Sequence, residues 1–160
     1  CFMKIKAFVI SIIFLICFPS LGFAETELVM EKEVLNYSAM GIGDQACMEL
    51  IIIKEGRDVS DMRDEHCPLS EGKFSVTLSG PSGTTVNFFG RFGFKKGNGF
   101  LTIKKKDDRK LWLWDLTDFP SGQLHNSEAN NKSGAFDAFY NASPTFEQSV
   151  SSIKWGAHDQ

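Results

Sequence analysis

The chain has 160 residues, a net charge of −3 and 15 phenylalanines, enough for one domain that buries a core without extra staples. Its mildly acidic balance argues against general nucleic-acid binding, whose affinity comes mainly from neutralised phosphates.

In chain order, the first feature is a leader. Lys4 and Lys6 precede the apolar run "AFVISIIFLICF" (7–18), and Pro19 and Gly22 break it before "GFA|ET". A run of 12 residues spans about 18 Å as a helix, short of the roughly 30 Å of a hydrocarbon core. Small Gly22 and Ala24 suit a signal peptidase, so residues 1–24 read as a cleaved signal peptide with Met3 as the start. The expected product is 25–160, secreted or periplasmic, with no stable membrane span after cleavage. Losing Lys4 and Lys6 leaves 15 basic and 20 acidic residues.

Beyond the leader, short β-branched and aromatic runs alternate with Gly, Pro, Asn and Asp, and no long helical pattern occurs. Strands are expected near 28–37, 46–54, 73–79, 84–95, 99–106, 110–116, 134–141 and 149–155. "GPSG" (80–83), "KGNG" (96–99) and "KDDR" (106–109) supply turns. This spacing predicts an all-β fold, a single antiparallel β-sandwich of jelly-roll or Greek-key type.

Two cysteines remain after the leader, Cys47 and Cys67, and an oxidising compartment favours one disulfide between them. Within that loop, "EGRDVSDMRDEHC" (55–67) places Asp58, Asp61 and Asp64 at i, i+3, i+6. Clustered carboxylates suit calcium, and the same spacing suits the solvated face of a short helical turn.

"NFFGRFGFKK" (87–96) contains Arg91-Phe92-Gly93-Phe94, close to an RNA-binding signature. It lacks the glycine between the basic residue and the first ring. Strand parity puts Phe88, Phe92 and Phe94 on one face, which is more simply a sandwich core. Residues 91–110 carry 8 basic and 2 acidic groups, against 12 acidic and 4 basic in 25–72. "KKK" (104–106) reads as a charged hairpin tip that discourages strand pairing.

"KLWLWDL" (110–116) is apolar on both faces, with Leu111 and Leu113 on one side and Trp112, Trp114 and Leu116 on the other. Either the rings pack the core and the leucines lie under the 117–133 loop, or the rings form a platform. A platform of Trp112 and Trp114, with Asp115 and Asp118 accepting from hydroxyls, suits sugar rings. The stretch 117–133 reads as the longest loop.

The C-terminal "TFEQSVSSIKWG" (145–156) resembles the end of a βγ-crystallin Greek-key motif through Phe146, Val150, Ser151-Ser152, Ile153 and Trp155. That resemblance implies a two-sheet sandwich and a contribution to a calcium site, although Glu147-Gln148 stand where the family has Asn/Asp. A plain last strand, with Ile153 and Trp155 inward and the serines outward, is the alternative. Sequons occur at Asn36, Asn131 and Asn141.

Catalytic templates fail. "SGPSGTT" (79–85) lacks the spacing of a nucleophile elbow and the lysine of a phosphate loop. His66, His125 and His158 are isolated in expected loop or tail. The sequence thus points to a non-enzymatic binding or structural module with a glycan or envelope-protein partner. A protein-partner role, as assembly component or inhibitor, is the second reading, and a hydrolase assembled from distant loops is a third.

Overall fold

Alternation of inward apolar and outward polar side chains builds nine strands among the residues that the computed structural model describes, 25–34, 50–65, 72–143, 146 and 150–157. They are β1 (Glu27–Val34), β2 (Leu50–Lys54), β3 (Gly72–Leu78), β4 (Thr85–Phe89), β5 (Phe100–Lys105), β6 (Leu111–Leu113), β7 (Leu124–Ser127), β8 (Phe136–Asn141) and β9 (Ser152–Trp155). The leader, Cys47, Cys67, His66, His158, Asn36 and Glu147-Gln148 lie outside the described residues.

The strands form two antiparallel sheets, one ordered β2-β1-β3-β6 and the other β7-β8-β5-β4-β9. These pack as a β-sandwich. Leu28, Met30, Ile53, Phe74, Val76, Leu78 and Leu111 face inward from the first sheet, and Val86, Phe88, Leu101, Ile103 and Ile153 meet them from the second. Each such buried side chain contributes about 1.5–3 kcal/mol, so the alternation itself fixes which face turns inward.

One lateral edge of the sandwich is strapped. After β2 the chain crosses to the second sheet, where Val59 bridges Ile153 on the free edge of β9. The Met62 amide donates to the Ser151 carbonyl (2.9 Å), and the Trp155 amide donates to Asp58 Oδ1 (2.8 Å). The strap ends in a 3-10 turn, Met62–Asp64, whose cap is Asp61. The indole N–H of Trp155 has no hydrogen-bond partner among the described residues.

Four expectations need correction. The run 84–95 is not one strand, because β4 stops at Phe89. A Cβ on Gly90 would lie 1.9 Å from the Asn98 carbonyl oxygen, so the chain turns there against its own return. Phe92 is consequently exposed, while Phe94, at φ 61°, folds over the outer face against Phe89. Second, 117–133 contains β7, which pairs with β8. Third, of the expected charged tip only Lys104 and Lys106 are exposed, because Lys105 continues the inward parity of Leu101 and Ile103 and is buried. Fourth, Ser152 is fully buried although it points away from the core. The 91–94 turn covers it, and its hydroxyl donates to the Arg91 carbonyl (2.7 Å) while accepting from the Phe94 amide (3.0 Å).

Candidate functional site

The opposite lateral edge, between β6 and β7, is open. On β6, Leu111 and Leu113 enter the core, so alternation turns Trp112 to the outer face, in register with Thr77. The strand is only three residues long, and its free edge is closed by a side chain. The Trp112 amide donates to Ser133 Oγ (3.0 Å), which donates back to the Trp112 carbonyl (3.2 Å). Ser133 is held in turn by Asn130, whose Oδ1 accepts from the amides of Lys132 and Ser133.

After Leu113 the chain leaves the sheet through an Asx turn. Asp115 Oδ1 accepts from the Thr117 amide (2.8 Å) and hydroxyl (2.7 Å), while Oδ2 takes the Lys73 ammonium (2.9 Å). Partial burial opposes ionisation of Asp115, but the hydrogen bonds from Thr117 and Lys73 outweigh it and hold the carboxyl below its ordinary range. The turn also corrects the expected parity, since Leu116 drops into the core instead of following the tryptophans.

Trp112 and Trp114 therefore stand outward, 39% and 57% exposed. Their rings lie 5.9 Å apart at 51°. The reading that put the rings in the core and the leucines outside is inverted by the structure.

Beside the rings runs a groove of about 350 Å³ lined by all four residues the sequence singled out, Trp112, Trp114, Asp115 and Asp118. Leu113, Phe119 and Phe136 add apolar lining, and Asn130, Lys132 and Ser133 polar lining. His125 faces it from β7, with its ring 5.3 Å from Phe119 and 6.2 Å from Phe136. Phe119, Asn130 and Lys132 were not singled out from the sequence, and His125 was read there as an isolated loop histidine. For His125 the only signal was the weak alternation of "LHNS" (124–127), too polar to read as a strand. The groove offers ring faces for stacking, the Asp118 carboxylate, which has no partner among the described residues, and an amide and an ammonium for hydroxyls.

The aspartates 58, 61 and 64 do not converge. Asp58 serves Trp155, and Asp61 caps the 3-10 turn and pairs with Arg63. Among the described residues no group of three or more His, Cys, Asp or Glu could hold a metal ion. No described helix is long and apolar enough to cross a membrane. No protein-family profile, curated protein or solved structure matches the chain.

Proposed function

We propose that this chain is an exported, non-enzymatic β-sandwich module, secreted or periplasmic, that binds carbohydrate in the β6–β7 groove. A Cys47–Cys67 disulfide belongs to the same reading. The observation that carries it is the exposed indole pair, 5.9 Å apart, beside a groove lined by the Asp118 carboxylate. Exposed paired rings raise the cost of solvation unless something stacks on them, and a pyranose offers an apolar face with hydroxyls around its rim.

The test is retention on cellulose, chitin and peptidoglycan by the protein and by its Trp112→Ala/Trp114→Ala variant. Because both rings are exposed, the variant should fold with a stability change within about 1 kcal/mol. It should bind at least about tenfold more weakly to whichever polysaccharide retains the parent. Failure of all three to retain the parent, or equal retention of both proteins, would overturn the reading.

One observation favours a protein partner instead. Ile52, Val29, Thr77 and Trp112 are register neighbours and form a row across the outer face of the four-stranded sheet. In an envelope assembly component or inhibitor, that row would seat the partner, and Ile52→Lys would abolish capture without affecting the groove.

A further inference from the structure

We infer that the 90–99 turn carries a second binding site, one for a tetrahedral oxyanion, that is, a phosphate or sulfate group. None of the groove residues lines it, so it stands apart from the carbohydrate reading.

The turn is built rather than loose. It closes at its base through the Gly90 amide and the Gly99 carbonyl (2.9 Å). Gly93 and Phe94 follow one another at φ 66° and 61°, and Asn98 lies at 64°. Phenylalanine adopts that region only where its surroundings hold it there. Here the Phe94 amide is bound by Ser152, the Gly93 amide donates to the Ser60 carbonyl (2.8 Å), and the Phe94 ring lies between Phe89 and the Lys154 ammonium.

The result is a hollow of about 480 Å³ lined by Gly90, Arg91, Phe92, Lys95, Asn98 and Ser151. Arg91 lies along Gly97, where an added Cβ would come within 2.9 Å of its Cδ and 3.2 Å of its Nη1. Glycine there leaves room for the extended guanidinium. Lys54, Arg57, Arg63, Lys73 and Lys106 each have a carboxylate partner. Arg91 and Lys95 have none among the described residues, and the Asn98 amide is also unengaged. Both side chains are exposed on a pinned backbone and line the same hollow, so both cations are available to an anion that enters it. A guanidinium fork engages two oxygens of a tetrahedral group, leaving a third for the lysine, and the Asn98 amide can add a neutral donor.

The test is titration of ¹⁵N-labelled protein at low ionic strength, where such attraction is least screened. One arm uses inorganic phosphate, the other vesicles of phosphatidylcholine with and without phosphatidylglycerol. Saturable shifts of the Gly90 and Gly97 amides with phosphate would show that the free ion suffices. A response only to phosphatidylglycerol vesicles would show that the group must be presented on a headgroup. In either case Arg91→Gln/Lys95→Gln should weaken binding at least about tenfold, and Lys104→Gln/Lys110→Gln, with the same loss of charge, should not. Equal weakening in both variants, or no saturable response to either probe, would overturn the assignment.

Discussion

Lys105 occupies a position that the alternation of β5 reserves for an apolar residue, after Leu101 and Ile103. Burial pushes its pKa down, against the opposing pull of Asp107 and Asp108, and its ammonium donates to the Arg109 carbonyl. The unfolded chain therefore binds the proton more tightly than the folded one. The cost is full while both states are protonated and falls as pH rises through the folded pKa toward 10.5. Lys105→Met keeps the length of the side chain, and Arg109, being exposed, can give its carbonyl to water. The variant should be more stable at pH 7 by about 1 kcal/mol, with an advantage that shrinks toward pH 10. Thermal melts at the two pH values check this, and a variant less stable at both would show that the Arg109 contact outweighs burial. The three lysines read in the sequence as a charged hairpin tip, which concealed that Lys105 carries on the inward parity of Leu101 and Ile103. The tryptophans posed the same problem: parity separated Trp112 from Leu111, but only the packing of β6 beside Val76 and Leu78 decided which side faced the core.

At the scale of elements, β9 shows how a short strand is kept from being a free edge. It pairs with β4 on one side and is strapped by 58–62 on the other. Asp58→Ala leaves the nearly buried Trp155 amide without its acceptor, at a cost of about 1 kcal/mol, or roughly 3–4 °C in Tm for a chain of this size. Asp58→Asn keeps an acceptor oxygen and should recover most of the loss. Melts in EDTA and in millimolar calcium separate this role from the metal site suggested by the aspartate spacing. A calcium-dependent gain in the parent, absent from Asp58→Ala, would return Asp58 to that site. Of the strands, β3, β5 and β8 were legible within a residue or two, because alternation and turn residues agreed. β7 was not, since "LHNS" carries too little apolar signal and takes its register from β8. β4 was overextended because Phe92 and Phe94 continue its parity, and only the close approach of Gly90 to Asn98 ends the strand.

Across the whole molecule the two lateral edges are unlike. The β2–β9 side is strapped, whereas the β6–β7 side holds the groove, beside which a clasp ties the start of β6 to the start of β8. In that clasp Asp107 Oδ2 accepts from the Ala135 amide (2.9 Å), Oδ1 accepts from the Arg109 amide (3.1 Å), and the Gly134 amide donates to the Lys110 carbonyl (2.9 Å). Just beyond β6, Asp115 forms the Asx turn and the Lys73 pair. Both carboxyls are held below their ordinary range, Asp107 first by the Ala135 amide and Asp115 by Thr117 and Lys73 against its burial. Their contribution is therefore present above an unfolded pKa of about 3.9 and is lost as pH falls through the lower folded values. Denaturant midpoints should be nearly level from about pH 7 to 5 and fall from about pH 4 downward. Asp107→Asn/Asp115→Asn should start lower at pH 7, having weakened the turn and clasp, and decline less steeply below pH 4. A double variant that declined as steeply as the parent would move the acid-sensitive contacts elsewhere. A smaller decline would identify the groove side, with Trp112, Trp114 and Asp118 on it, as the part of the sandwich that acid loosens first.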